Sequence, residues 1–163
     1  MSDIYMYRNK VRNYLDKLSG ALSDELMKIS NFNFHPEIEV LDFEIFNEGF
    51  TSGFYIRMFS MTRDANEFFH DEKIDGDIYF SGGYDLLQEV EHIFSYDEIE
   101  HYEEVGIDAY EEDSFELIRW FSEMWKKIIG TKINIPSYLC LHDDIRSFDL
   151  INMEWISDDE KWI

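Results

Sequence analysis

Between Lys73 and Arg119 the chain carries no Lys or Arg, and residues 74 to 118 hold fifteen Asp and Glu side chains. The densest parts are Asp97-Glu98-Ile99-Glu100-His101-Tyr102-Glu103-Glu104 and Glu111-Glu112-Asp113. Charge of one sign repels itself, so such a stretch stays ordered only where apolar burial outweighs the repulsion. The chain has the means for that burial. Of 163 residues 45% are hydrophobic and 17% aromatic, whereas disordered polyacids are poor in aromatics. The length suits one core, and two prolines with eight glycines favour regular elements joined by short loops. The expectation is a single acidic α+β domain over 1–163.

The formal net charge is −22, of which the segment 74–118 supplies −15. The first 28 residues are nearly neutral, with Arg8, Lys10, Arg12, Lys17 and Lys28 against Asp3, Asp16, Asp24 and Glu25. One face rather than the whole surface therefore carries the field. That field disfavours nucleic acid and anionic lipid and favours basic proteins, metal ions or polyamines. Cys140 is the single cysteine, so an intrachain disulfide framework is excluded. The N-terminal residues lack the apolar run of a signal peptide, and no stretch nears the roughly 18 apolar residues of a membrane span. The expected location is cytoplasmic.

Periodicity places the elements. Ile4, Tyr7, Val11, Tyr14, Leu15, Leu18, Leu22, Leu26 and Ile29 keep a three-and-four spacing, predicting an N-terminal helix that Gly20 bends or splits, with Ser23 capping the second piece. Arg8, Arg12 and Lys28 form a solvated stripe away from its apolar side. Glu37–Asn47 reads as a strand with Leu41, Phe43 and Ile45 on one face, Asp42 and Glu44 on the other, and a bulge-like slip after Val40. Gly49–Gly53 is a turn and Phe54–Met61 a second strand, giving an antiparallel hairpin. Thr62–Lys73 reads as irregular, with a helical turn at Ala65–Phe69, and Ile78–Phe80 as a short strand. Leu86, Leu87, Val90, Ile93 and Phe94 mark a helix. Ser95 with Glu98 fits a capping box that starts another, its stripe being Ile99, Tyr102, Val105 and Ala109. Asp113 caps a helix over Ser114–Ile129, ended by Gly130. Ile133–Leu141, with Pro136 at its start or at an edge, and Ser147–Ile156 are the last strands. The predicted architecture is a small, mainly antiparallel sheet of about four strands. It packs against the N-terminal helix and the helix near 114–129, with acidic helices between.

Candidate chemistry is sparse. Glu89-x-x-His92 and Glu98-x-x-His101 each put two ligands on one helical turn, as in two-metal helical bundles, and make a metal-dependent protein the alternative reading. Asp71–Gly82 fails the calcium-loop template, because Lys73 and Gly82 fall where oxygen ligands belong. Ser81-Gly82-Gly83-Tyr84 lacks the glycine spacing and the Lys of a phosphate loop. For Cys140-x-His142 the third, orienting group could come only nominally from Asp143 or Asp144, and a lone Cys among apolar neighbours reads as a small hydrophobe. No cofactor is implied.

The acidic segment has two readings, a solubilising face or a binding face. Its one-signed charge and interspersed tyrosines favour the second, since acid steers a basic partner and aromatics supply desolvated contact. The expectation is a non-enzymatic inhibitor of a basic protein, most concretely an immunity protein or antitoxin against a nuclease-like toxin encoded nearby. The expected partner-binding residues are Tyr96, Asp97, Glu98, Glu100, Tyr102, Glu103, Glu104, Asp108, Tyr110, Glu111 and Glu112. The oligomeric state is not legible, and self-association through exposed aromatics is a third possibility.

Overall fold

The computed structural model describes residues 2–47, 53–70, 73–74, 76–89 and 93–163. Helix α1 (Asp3–Ser30) is followed by β1 (Val40–Asn47), β2 (Phe54–Met61), the small hairpin β3 (Lys73–Ile74) and β4 (Asp77–Ile78), and β5 (Tyr84–Glu89). Then come α2 (Tyr96–Glu104), α3 (Ala109–Ile128), β6 (Ser137–Leu141), β7 (Arg146–Asp149), β8 (Glu154–Ser157) and a closing 3₁₀ turn, Asp158–Trp162. The expected α+β class holds.

The sheet is larger than expected and mixed. Six strands run in the order β5-β2-β1-β6-β7-β8, with β1 and β6 parallel and every other pair antiparallel. Parallel neighbours need a long crossover, and α2 and α3 lie within the one that returns the chain to β1's side. Pro136 marks the start of β6 but not an edge, since β6 lies inside the sheet. Ser147–Ile156 is a hairpin rather than one strand. The Asp149 carboxylate accepts from the backbone N–H groups of Ile151 and Asn152, at 2.9 and 3.0 Å, and turns the chain there.

Other elements also shift. Tyr84–Glu89 is a strand, not part of a helix, because its backbone is taken up by the free edge of β2 (Ile56 opposite Leu87). Val90 lies outside the described residues, as does the turn 49–52. The bulge falls between β2 and β5, at Ile56/Arg57, whereas β1 pairs with β2 in unbroken register. Gly20 does not split α1. It is exposed and the tertiary packing of the flanking stripe carries the helix through it. Thr62–Phe69 contains a turn and a bridge, Met61 to Glu67, but no helix. Of Ile78–Phe80 only Ile78 is in a strand, while Phe80 bridges Phe34. Helix α3 starts five residues early, because Asp108 rather than Asp113 accepts from the Glu111 N–H and caps it. The Ser95–Glu98 capping box forms as expected.

Leu41, Phe43 and Ile45 of β1 face the helices, where Phe43 meets Phe121 and Trp125 of α3 at 5.4 and 5.3 Å between ring centroids. On the opposite face the 3₁₀ turn brings Lys161, fully buried, to Asp42 (3.0 and 3.1 Å) and Asp158 (2.6 Å). Burial pushes the Asp42 carboxyl up to about 6 against the pull of Lys161. A buried pair of this kind adds little over an apolar pair, but breaking it strands a charge. Lys161→Ala is therefore expected to cost about 3–5 kcal/mol in urea unfolding. The double change Asp42→Asn with Lys161→Met is expected to recover most of that loss. Equal losses in the single and double variants would show that the contact is incidental.

Candidate functional site

The acidic segment folds onto α1 and is divided by it into two sides. Arg8 donates through Nε and Nη2 to Glu112, at 2.6 and 3.1 Å. One turn on, Arg12 donates to Glu116 Oε2 at 2.9 Å, and Arg119 reaches the same oxygen at 3.0 Å. Arg8 and Arg12, four apart, thus meet Glu112 and Glu116, also four apart, so α1 and α3 run in the same direction. Further along, Trp120 Nε1 donates to Ser19 Oγ at 2.9 Å. Lys10 reaches Glu98 of α2 at 2.8 Å, and the Glu98 carboxylate, which also accepts from the Ser95 N–H, is held below its ordinary range, chiefly by Lys10. The basic stripe of α1 stays part-exposed, as its sequence suggests, and at Arg8 and Arg12 it also serves as counter-charge to α3.

Beneath this rail lies an aromatic and carboxyl core. Tyr7 stacks on Phe94 at 4.8 Å and meets Tyr102 edge-on at 5.0 Å. Tyr102, 9% exposed, is part of that core and does not stand on the surface with the other expected contact residues. The Tyr7 hydroxyl donates to Asp113 at 2.5 Å. Burial pushes the Asp113 carboxyl up to about 7, although hydrogen bonds from Tyr7 and Asn47 oppose the shift. Glu116, also fully buried, has one oxygen, Oε1, without a hydrogen-bond partner among the described residues.

The outward side of α2 makes no such ion pairs among the described residues. Tyr96 stands 78% exposed at the start of α2, and Asp97, Glu100, Glu103 and Glu104 are exposed on the same outer surface. Asp108 is exposed and its carboxylate serves the α3 cap. Tyr110 donates to Asp144 at 3.3 Å, and Glu111 lies 3.5 Å from Arg146. Of the eleven expected contact residues Tyr96, Asp97, Glu100, Glu103, Glu104 and Asp108 are exposed. Tyr110 and Glu111 meet Asp144 and Arg146, Glu98 and Glu112 are engaged by α1, and Tyr102 is internal.

The residues of the metal reading are only partly described. Glu89 ends β5 rather than occupying a helical turn, and His92 lies outside the described residues. Glu98 is taken by Lys10, and His101 is exposed, 3.8 Å from Asp3. A different trio, Asp42, Glu44 and Cys140, brings its ligand atoms within 4.8 Å of one another. Lys161 supplies the cation beside Asp42 there, and burial pushes the Cys140 thiol well above its usual range, which disfavours both thiolate ligation and nucleophilic attack. Among the described residues no helix is long and apolar enough to cross a membrane.

No family model, curated protein or solved structure matches the chain. The site must be read from its own chemistry.

A folded-state pKa raised above the unfolded value means that the stabilising contribution is complete at low pH and fades as the carboxyl ionises. For Asp113 that window runs from about pH 4 to just above 7. Urea stability is expected to fall across it, and Asp113→Asn to flatten the slope by up to roughly 4 kcal/mol, at 1.36 kcal/mol per unit. An unchanged slope in the variant would place the pH dependence elsewhere.

Proposed function

We propose that the protein is a non-enzymatic acidic binding protein that masks a basic surface on another protein. Its most concrete form is an immunity protein or antitoxin neutralising a basic, nuclease-like toxin. The observation that carries this reading is the division of charge. Arg8 and Arg12 are used on Glu112 and Glu116, and Lys10 on the exposed Glu98, while Asp97, Glu100, Glu103 and Glu104 have no cation partner among the described residues. Ordinary surfaces interleave Lys with acid and so lower self-repulsion. Here the outer face keeps that repulsion, which a cationic partner would relieve. Tyr96 adds an exposed aromatic beside the acids, a residue type that anchors interfaces. Such a face accelerates encounter with a basic protein and repels nucleic acid and anionic lipid.

The test is association kinetics with the basic protein recovered by pull-down from native lysate. The association rate is expected to fall steeply with salt. The fourfold reversal Asp97→Lys, Glu100→Lys, Glu103→Lys and Glu104→Lys is expected to slow it by about tenfold or more and to remove most of the salt dependence. Glu98 is left out because it caps α2 and holds Lys10. Unchanged kinetics in that variant would contradict the placement of the interface.

A further inference from the structure

A cavity of about 130 Å³ opens at the carboxyl ends of the parallel strands β1 and β6. Phe46 and Asn47 end β1, Leu141 ends β6 with His142 directly after it, and Tyr110 from the first turn of α3 adds to the wall. The crevice beyond the carboxyl ends of parallel strands is where open sheets gather ligands. Tyr55 and Tyr110, both lining residues, are 42% and 45% exposed, so the cavity is reached from solvent. An apolar cavity of roughly 150 Å³ takes one benzene, so this one holds a single group of about five or six heavy atoms.

The polar groups of the wall share one arrangement. The Tyr110 hydroxyl donates to Asp144 at 3.3 Å, and Asn47 donates to the buried Asp113. His142 has a carboxylate at each nitrogen, with Nδ1 3.6 Å from Glu44 and Nε2 3.4 Å from Asp143. A neutral imidazole carries one N–H, so it answers one of these carboxylates while the other meets a ring lone pair. Donors spent in this way leave the wall with acceptor capacity, on the Tyr110 oxygen and the imidazole. Among the described residues no Lys or Arg lines the cavity. Arg146, which also meets Asp144, shares its charge with Glu111. Acceptors, surrounding carboxylates and apolar rings together describe a socket for an alkyl cation.

We propose that this cavity receives the side chain of one lysine from the basic partner. The proposal rests on the reading that the partner is basic and names the residue that it inserts. An ammonium has three N–H donors and no acceptor, which complements this wall. Arginine suits it less, because its planar fork matches the paired oxygens of one carboxylate, whereas here the acceptors stand apart on α3 and on the turn after β6. Phe46 lies between Tyr55 and His142, at 4.4 and 4.5 Å between ring centroids, which fixes it as a wall for the alkyl stem.

The probe is n-butylammonium, the lysine side chain without its backbone, titrated into the full chain at millimolar concentration and followed by NMR. The neutral control is n-pentanol and the arginine control n-butylguanidinium. The expected result is saturable shifts of the His142, Leu141 and Tyr110 amides with n-butylammonium, and at least about tenfold weaker binding of n-pentanol. Tyr110→Phe, which keeps the ring and removes the acceptor, is expected to weaken the cation by roughly tenfold. Asp143→Asn, at an exposed position whose φ of 64° Asn also adopts, is expected to weaken the cation and leave n-pentanol unchanged. No saturable shift, equal binding of n-pentanol, tighter binding of n-butylguanidinium, or a His142 ring that keeps both protons throughout would each overturn the lysine site. Shifts confined to Asp97, Glu100, Glu103 and Glu104 would overturn it and leave the basic-partner reading standing. Saturable binding in the cavity, beside a partner association that does not depend on salt, would uphold the ammonium site and overturn the reading it rests on.

Discussion

The contact between α1 and the acidic segment is what lets the rest of the structure exist. Fifteen carboxyl groups in 45 residues could not be brought onto a common core without counter-charge. Arg8 and Arg12 provide it where that segment turns inward, through Glu112 and Glu116, and Lys10 pairs with Glu98 at the surface. The Arg12–Glu116 pair matters most for the packing, because Glu116 is entirely buried and Arg119 grips the same oxygen. Exposed pairs such as Lys10–Glu98 contribute little each, on the order of 1 kcal/mol or less. The burial of Tyr7, Phe94 and Tyr102 beneath them supplies the larger apolar term.

From this constraint the division of the surface follows. Arg8 and Arg12 of α1 are engaged by Glu112 and Glu116, and the outer side of α2 keeps acids with no cation partner among the described residues. Stability is thereby given up on the outer face, where each acid repels its neighbours, and natural surfaces ordinarily avoid that loss. The buried carboxyls compound it at neutral pH. Asp113 is pushed up to about 7 by burial and Asp42 up to about 6, so both lean toward the protonated form as the solution becomes acidic.

Much of the fold was legible in the chain. The alternation of Leu41, Phe43 and Ile45 against Asp42 and Glu44, the long stripe of α1, and the Ser95–Glu98 box all report local physics, and all appear in the structure. The errors have a common cause in tertiary pairing. Leu86 and Leu87 suit a helix or a strand equally well, and only the open edge of β2 decides. Asp113 suits a cap by its spacing to Glu116, but it is buried against Tyr7 and Asp108 caps the helix instead. The site was half legible. Exposed acids could be found from charge density, but Tyr102 reads the same whether it anchors an interface or fills a core. The matching four-residue spacings of Arg8–Arg12 and Glu112–Glu116 were the available signal for the internal rail.

The central claim, that inner acids hold the fold while outer acids are kept against stability, is tested most directly by neutralising each set without changing its shape. Urea unfolding at low salt should show that Glu112→Gln with Glu116→Gln costs at least about 2 kcal/mol, because charge-assisted contacts are lost around a buried group. Asp97→Asn with Glu100→Gln, Glu103→Gln and Glu104→Gln should leave stability unchanged or raise it. A chain destabilised more by the outer set than by the inner one would contradict the account.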